Sequence, residues 1–308
     1  MIETPVPNLL GDPHAVRVSA GDTDAIFLPD FGMIGVSLKK DGVEALRRID
    51  NLIVAAAANR TVGIPFLFPF ANRLSDFQYE VAGRGVTLPP HSLVLRYDEN
   101  GLPMHGLMWP HLKWSVEDAS ESTVSAHLDW SHPQGLAVFP YPCQLTLRAT
   151  IEPGSLSIET SLKATGDIDV PVSFGFHPYF GLGGDRANWH VRLPKMRHLT
   201  LDARQIPTGA SEPYPGLDDT LGLRSFDDGF VLLEPQATLS IAYGGHQIAV
   251  DLLEGYTHTQ VYAPHDQNYI AFEPMTAPAN ALISGDGLRL VSPGETFTAK
   301  FRIRLDEA

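Results

Sequence analysis

The feature that most constrains the fold of this chain is an alternation of apolar and polar residues near its C-terminus. After Thr296, apolar side chains occupy every second position, namely Phe297, Ala299, Phe301, Ile303 and Leu305. Successive side chains of a β-strand point to opposite faces, so this spacing predicts a strand with one face on a core and the other in water. Residues 145–151 and 156–162 alternate in the same way, and further strands are predicted at 122–130, 231–234, 237–243, 247–253 and 259–262.

Turn-forming pairs separate these strands and favour an antiparallel arrangement. They are Asp41-Gly42, Pro153-Gly154, Gly183-Gly184, Gly244-Gly245 and Pro293-Gly294. Only residues 43–58, with an alanine run at 55–58, indicate a helix. Many short strands, few helices, and 27 Gly with 25 Pro are typical of a large antiparallel β-sandwich. No repeat or change of composition divides the sequence, so we predict an all-β fold in one domain spanning residues 1–308.

The charge of the chain narrows its partners. The 308 residues carry a formal net charge of -14, with 22 Lys and Arg against 36 Asp and Glu. A surface this acidic repels phosphate backbones, so nucleic acid is not expected as a partner and a neutral small substrate fits best. One local arginine cluster could override the overall sign. No apolar run approaches the roughly 20 residues of a membrane span, so a membrane partner is not expected either.

A cytoplasmic location is expected from the N-terminus and the cysteine content. The first ten residues lack the basic and apolar regions of a secretory signal. The single cysteine, Cys143, cannot form an intrachain disulfide and is interpreted as a small buried side chain in a strand. The glycosylation sequon that begins at Asn59 is therefore interpreted as a chance match.

Two segments place polar side chains within apolar, turn-rich sequence. Residues 63–74 contain two prolines, which are incompatible with a helix interior or a central strand, and deliver Asn72 and Arg73 near their end. An arginine there offers planar donors for hydroxyls or a carboxylate, and a structural salt bridge explains it equally well. His105, which is followed by a glycine, is a weaker candidate because a structural histidine would explain it too.

Two further segments carry the acid–base candidates. His177 lies among aromatic residues and directly before a proline, where the backbone must leave a strand ladder. Burial there disfavours the imidazolium and can bring the pKa of His177 into a useful range, while the alternative is a core histidine bonded to a backbone carbonyl. Glu273 precedes a proline at the predicted end of a strand. A carboxyl in such apolar company is either a base or half of a buried ion pair, for example with Arg73.

Other chemistries find no support in the sequence. It lacks the HExxH, CxxC and His-x-His patterns of a dedicated metal site, so neither a metal nor a cofactor is expected. Residues 181–184 have the glycine content of a phosphate loop but not its strand-to-helix context. No G-x-S-x-G nucleophile elbow is present. Asp227 and Asp228, taken alone, are interpreted as a turn.

Taken together, these segments resemble the aldose 1-epimerase (galactose mutarotase) family. In chain order, the family's P-x-L-F-P-x-x-N-R matches residues 65–73, its H-G matches 105–106, its G-F-H-P-Y-F matches 175–180, its [YF]-D-x-x-F matches 226–230, and its E-P-x-x-x-P-x-N-A matches 273–281. The matches cover most of the chain. The resemblance implies a large antiparallel β-sandwich, in agreement with the alternation, and a small-molecule sugar as the partner.

The resemblance also implies a reaction and a role for each candidate. The α and β anomers of an aldose interconvert when O1 loses a proton and O5 gains one. The ring then opens, turns about C1–C2 and closes on the opposite face. By similarity, Glu273 is the general base at O1 and His177 the general acid at O5. His105 would hydrogen-bond near O5, while Arg73 and Asp227 would hold the remaining hydroxyls.

One departure from the family bears on the substrate. Many relatives have H-G-F-A-R at residues 105–109, whereas this chain ends the stretch in Trp109 and so lacks the arginine. Relatives that prefer phosphosugars use additional basic residues near the site. The missing arginine and the acidic net charge therefore favour an unphosphorylated hexose, although Arg84 or Arg96 could still line the pocket.

Three alternatives to a hexose 1-epimerase stay open at this point. The first keeps the fold and changes the substrate to a hexose 6-phosphate. The second is a non-catalytic carbohydrate-binding domain, which fold alone does not exclude. The third is a glycosidase or lyase that uses Glu273 with Asp227, and it needs the two carboxyls about 5–5.5 Å or about 6.5–9.5 Å apart.

Overall fold

The computed structural model describes residues 11–47, 52–58 and 60–307. The first strands of this part are β1 Val16–Ala20, β2 Thr23–Leu28, β3 Ile34–Lys40, β4 Val43–Glu44, β5 Phe66–Leu67, β6 Gln78–Val81, β7 Arg84–Thr87, β8 Leu95–Tyr97, β9 Pro103–Leu107, β10 Ser115–Ala119, β11 Thr123–Trp130, β12 Cys143–Glu152 and β13 Ser155–Ala164. They are followed by β14 Val170–Val172, β15 Gly175–Phe176, β16 Tyr179–Phe180, β17 His190–Leu193, β18 Met196–Leu201, β19 Pro207–Tyr214, β20 Leu217–Thr220, β21 Phe226–Leu232, β22 Ala237–Tyr243, β23 His246–Glu254, β24 His258–Ala263, β25 Ile270–Met275, β26 Arg289–Val291 and β27 Thr296–Glu307. The α-helices within the same residues are α1 Leu52–Ala57, α2 Pro133–Leu136 and α3 Ala281–Ser284.

Two large antiparallel sheets dominate the fold. The nine-stranded sheet has the order β10-β11-β12-β13-β27-β23-β22-β17-β20. The eight-stranded sheet has the order β19-β18-β21-β24-β25-β15-β5, and β16 pairs with β25 beside this path. Smaller sheets consist of β1 to β4, β6 with β7, β8 with β9, and β14 with β26.

Strands β13 and β27 show how the alternation builds the core. Ile158 and Phe301 face each other across the two strands and are 1% and 0% exposed, while their neighbours Glu159 and Lys300 form an ion pair on the outer face. The ring of Phe301 meets that of Phe176, in the other large sheet, with centroids 5.0 Å apart. The two sheets therefore pack face to face, and the prediction of an antiparallel β-sandwich is confirmed.

Most predicted strands are confirmed with small changes at their ends. Residues 237–243 form β22 without any change, and the C-terminal alternation continues as far as Glu307 in β27. The strand predicted at 231–234 is in fact the end of β21, which begins at Phe226. Cys143 is buried at the start of β12, as predicted.

The helix prediction for residues 43–58 is wrong at its N-terminal end. Val43–Glu44 pair with β3 as a short strand, because the Glu44 carboxylate accepts hydrogen bonds from the Ser37 hydroxyl and the Leu38 N–H. Only Leu52–Ala57 are helical, and residues 48–51 lie outside the described part. The sequon residue Asn59 and the first ten residues lie outside it as well.

No helix among the described residues is long and apolar enough to cross a membrane. The prediction that residues 1–308 form a single domain remains a prediction.

Candidate active site

A polar cavity of about 430 Å³ lies on the eight-stranded sheet, where β21, β24 and β25 run side by side. The loop after β5, strands β8 and β9, and the turn between β15 and β16 supply much of the remaining lining. All six candidates from the sequence line this cavity, namely Asn72, Arg73, His105, His177, Asp227 and Glu273. The fold thus brings together polar residues from distant parts of the chain.

Glu273 lies within β25 and is 2% exposed. Its Oε1 is 3.1 Å from Nε2 of His177, and its Oε2 has no hydrogen-bond partner among the described residues. Burial raises the pKa of Glu273 well above its ordinary value, the Asp227 carboxylate raises it further, and Arg73 opposes the shift. A carboxyl with a raised pKa takes up a proton readily, as a general base must.

The structure corrects one detail of the prediction for Glu273. The strand does not end at this residue but continues through Pro274 to Met275, where it pairs with β24 on one side and with Gly175 of β15 on the other. The partner of Glu273 is also not Arg73, because the ion pair that the structure records for this carboxyl is with His177.

His177 sits between β15 and β16, where the chain leaves the ladder as its following proline predicts. Its backbone N–H donates to the Pro65 carbonyl at 3.2 Å, and its ring stacks on Tyr179 with centroids 4.2 Å apart. Nε2 lies 3.2 Å from the Tyr179 hydroxyl. Burial lowers the pKa of His177, and the positive charge of Arg96 lowers it further, so the imidazole is neutral at physiological pH.

His177 and Glu273 therefore form a buried pair that holds one proton. The raised pKa of the carboxyl and the lowered pKa of the imidazole both favour the uncharged arrangement, a carboxylic acid beside a neutral ring. Transfer of the proton across the 3.1 Å contact gives a carboxylate and an imidazolium, which are a base and an acid side by side. Such a pair can remove one proton from a substrate and deliver another within the same encounter.

His105 is held in a strained backbone conformation beside this pair. Its φ is +62° and that of Asn72 is +58°, values that cost about 1–3 kcal/mol each for residues other than glycine. The Asn72 N–H donates to Nδ1 of His105 at 3.1 Å, and the His105 N–H donates to the Asn72 carbonyl at 2.8 Å. Burial lowers the pKa of His105 well below its ordinary value. With Nδ1 accepting, the neutral ring carries its proton on Nε2, which makes it a hydrogen-bond donor.

Arg73 combines the two roles that the sequence left open. Its Nε donates to the fully buried Asp98 carboxylate at 3.1 Å, which ties the loop down as a structural salt bridge would. Its Nη2 lies 3.4 Å from Asp227, whose other oxygen accepts from Nε2 of Gln260 at 2.7 Å. The Arg73–Asp227 pair is thereby fixed on the wall of the cavity, with donors and an acceptor suited to hydroxyl groups.

Asp227 and Asp228 do not form a turn, contrary to the interpretation of these residues alone. Both belong to β21, which pairs with β18 and β24, so their side chains point to opposite faces. Asp227 lines the cavity, whereas Asp228 lies 2.7 Å from Nε2 of His198 and is absent from the lining.

A hydrogen-bonded chain behind His177 escaped the sequence analysis. Arg96 donates from Nη1 to the Thr61 hydroxyl at 2.9 Å, and Thr61 is 2.5 Å from the hydroxyl of Tyr179, which contacts His177. Tyr179 carried a signal, since it lies inside the G-F-H-P-Y-F motif. Thr61 carried none beyond a sequon interpreted as chance.

Two residues considered for substrate preference lie away from the cavity lining. Arg84 is exposed in the β6–β7 hairpin. Trp109 is 1% exposed, and its Nε1 donates to the backbone carbonyl of Arg60 at 3.0 Å. Trp109 therefore supports the backbone beside the cavity, and Arg96 is the considered arginine that lines it.

The architecture is that of the galactose mutarotase-like β-sandwich proteins. The galactose mutarotase-like protein of Clostridium acetobutylicum is 20% identical and has a TM-score of 0.83, with 96% of this chain and 95% of that chain covered. The galactose 1-epimerase of Lactobacillus acidophilus NCFM is 14% identical and has a TM-score of 0.75, with 96% and 94% covered. Similarity at this level of identity shows the fold.

The sequence shows the family. The family description aldose 1-epimerase matches residues 19–304, so this chain belongs to the aldose 1-epimerase family. A similar protein is YihR of Escherichia coli (strain K12), which is described as uncharacterized. It is 24% identical over 250 residues, which are 77% of each sequence. The family acts on sugars, so membership confirms the resemblance noted in the sequence.

Proposed function

We propose that this protein is an aldose 1-epimerase that interconverts the α and β anomers of a hexose by acid–base catalysis. The observation that carries the proposal is the 3.1 Å contact between Glu273 Oε1 and His177 Nε2 inside the cavity. O1 and O5 of an aldopyranose are both bonded to C1, so a base and an acid in contact with each other can serve both oxygens.

In the proposed mechanism, Glu273 as carboxylate takes the proton of the O1 hydroxyl while His177 as imidazolium gives its proton to O5. The C1–O5 bond breaks, and C1 becomes an aldehyde carbon. After rotation about C1–C2, the two residues exchange roles and the ring closes with O5 on the opposite face of C1. His105 donates a hydrogen bond from Nε2 near O5, and Arg73 with Asp227 holds hydroxyls further along the sugar.

The main alternative, a domain that only binds sugar, accounts less well for the pair. A binding site needs hydrogen-bond donors and acceptors, which Arg73, Asp227 and His105 supply. It has no need of a buried carboxyl whose pKa burial raises, because burying such a group costs stability. The names of the two structural relatives, a galactose mutarotase-like protein and a galactose 1-epimerase, support an epimerase as well.

The test follows the optical rotation of freshly dissolved α-D-glucose and α-D-galactose, in dilute buffer because buffers also catalyse the exchange. Acceleration to the same end point as the uncatalysed reaction is expected. In the variants Glu273→Gln and His177→Asn we expect kcat to fall by about 10²–10⁴-fold, the usual contribution of one positioned proton-transfer group.

Matched controls are the exposed residues Glu234 and His246, changed to Gln and Asn in the same way. Both control variants should keep wild-type activity. Turnover near the wild-type level in either site variant would contradict the assigned roles. If no aldose is accelerated, including hexose 6-phosphates and uronic acids followed by NMR, the enzyme proposal is wrong and the binding domain takes its place.

A further inference from the structure

Four arginines line the cavity, but carboxylates neutralise only one of them among the described residues. Arg73 has the partners described above. Arg47, Arg60 and Arg96 line the same cavity, and the described part of the chain places no carboxylate within 4.0 Å of their guanidinium groups. A charge held in a cavity without a counter-ion is costly, so this group of three calls for an anion.

Arg96 and Arg60 lie together on one side of Tyr179. Arg96 is half-buried and fixed by its hydrogen bond to Thr61, which in turn contacts the Tyr179 hydroxyl. Arg60 directly precedes Thr61, and its carbonyl accepts the bond from the Trp109 indole. The backbone at the base of both side chains is therefore held in place, as a preorganised binding site requires.

Arg47 reaches the same region from a different part of the chain. Its backbone N–H donates to the Tyr179 carbonyl at 2.8 Å. Its guanidinium lies over the ring of Tyr269, 4.3 Å from the centroid, and that ring packs on Tyr179 at 5.4 Å. Stacking on an aromatic face fixes the guanidinium plane and leaves its N–H edges available for an oxyanion.

The position of this group relative to His177 indicates which part of a sugar it would meet. Tyr179 stands between the three arginines and His177, the proposed acid at the ring oxygen O5. In an aldopyranose O5 joins C1 to C5, so C6 is the substituent that leaves the ring next to O5. Arg73 and Asp227 lie on a separate contact network and remain available to the hydroxyls of the other ring carbons.

We propose that Arg47, Arg60 and Arg96 form a subsite for an oxyanion carried on C6, so that the preferred substrate is an anionic aldose. This inference rests on the proposed 1-epimerase function and names its substrate class. The shared chemistry is that of a carboxylate, sulfonate or phosphate, each of which accepts several guanidinium hydrogen bonds. Trp109 in place of an arginine does not weaken the proposal, since that position lies outside the cavity lining.

The net charge of -14 does not oppose such a substrate. Exposed charges more than about 10 Å apart are screened at physiological salt, whereas charges lining a cavity act at contact distance. The unpaired arginines therefore set the local potential, and the acidic outer surface reduces binding of polyanions such as nucleic acid elsewhere on the molecule.

The experiment compares anomer exchange of glucose with that of three C6 anions by two-dimensional NMR exchange at equilibrium. The probes are glucuronate, 6-deoxy-6-sulfoglucose and glucose 6-phosphate, which separate the planar monoanion, the tetrahedral monoanion and the dianion. We expect at least one of them to exceed glucose in kcat/KM by about 10-fold or more, the effect of one charge-assisted hydrogen bond. Raising the ionic strength should reduce that preference while affecting glucose less.

The variants Arg47→Gln and Arg96→Gln test the subsite directly. Each should lower the ratio of kcat/KM for the preferred anion to kcat/KM for glucose by about 10–100-fold. The ratio is the readout because Arg96 also acts on the pKa of His177 and so affects both substrates. Arg84→Gln, which removes the same charge from an exposed position outside the lining, is the control and should leave the ratio unchanged.

The outcomes separate this inference from the proposed function. Exchange of glucose at least as efficient as that of every anion, with an unchanged ratio in Arg47→Gln, would overturn the anionic subsite and leave the epimerase intact. If no sugar is exchanged, the proposed function fails, and calorimetry of the same probes with Glu273→Gln decides the subsite alone. Binding of an anionic sugar at least 10-fold tighter than glucose, lost in Arg47→Gln, would then support it, and equal binding would refute it.

Discussion

Replacing Tyr179 with phenylalanine separates the ring of this residue from its hydroxyl. The ring stacks on His177 at 4.2 Å, and phenylalanine keeps that contact. The hydroxyl lies 2.5 Å from Thr61 and 3.2 Å from Nε2 of His177, in a fully enclosed position. We interpret Tyr179 as a positioning residue that holds the His177 ring at the correct angle to Glu273.

The size of the effect follows from these contacts. Removal of one partner of a buried hydrogen bond costs about 1–3 kcal/mol, and bonds to a charged group lie in the upper half of that range. His177 becomes charged only during the reaction, so most of the loss should fall on the transition state. A loss of about 1.4–2.8 kcal/mol there corresponds to a fall in kcat of about 10–100-fold. KM should change by less than kcat.

The assay is anomer exchange at saturating sugar, together with the melting temperature of each variant. Tyr256→Phe is the matched control, since Tyr256 is equally buried among aromatic rings but lies outside the cavity lining. In a double-mutant cycle with Thr61→Val, the two effects should be less than additive because both variants break the same chain. Tyr179→Phe activity within twofold of wild type, or full additivity, would refute the positioning role.

Two further predictions concern stability and pH. Because burial raises the pKa of Glu273, the free energy of unfolding falls as pH rises above the ordinary carboxyl range, by about 1.4 kcal/mol for each pH unit until the carboxyl ionises in the folded protein. Glu273→Gln should therefore melt higher than wild type, by a margin that grows between pH 5 and 8; a constant margin would contradict this. Burial lowers the pKa of His258 to about 4, so its contribution is present above pH 6.5 and lost as pH falls toward that value. The free energy of unfolding in urea should drop between pH 7.5 and 5 by about 2 kcal/mol less in His258→Gln than in wild type, and equal drops would count against it.

The alternation of side chains predicted the large sheets because it reports burial directly. In β27 every apolar residue from Phe297 to Leu305 faces the core, so sequence and structure carry the same information. The pattern failed at Asp227 and Asp228, where neighbouring strands on both sides impose the extended backbone on two acidic residues. Pairing of this kind is a property of the assembled sheet and leaves no trace in local hydrophobicity.

The candidate site was predictable where motifs are local and unpredictable where the cavity is assembled from single residues. Glu273, His177 and His105 each sit in a short unusual stretch that draws attention by itself. Thr61 and Arg47 lie in ordinary sequence and acquire their roles only because the fold brings them beside Tyr179. The contact between Glu273 and His177, from which the proton-sharing argument follows, is likewise a tertiary fact.

The substrate question shows where whole-chain properties lose their force. The net charge and the tryptophan at position 109 both favoured an uncharged hexose, and neither describes the lining of the cavity. A bound sugar interacts most strongly with groups at hydrogen-bond distance, and the lower local dielectric makes each such charge count for more than many distant, screened ones. Three unpaired guanidinium groups beside Tyr179 therefore weigh more in the choice of substrate than the excess of carboxylates over the whole chain. Specificity in this fold is decided by the few side chains around C6, which can change while the acid–base pair at C1 stays the same.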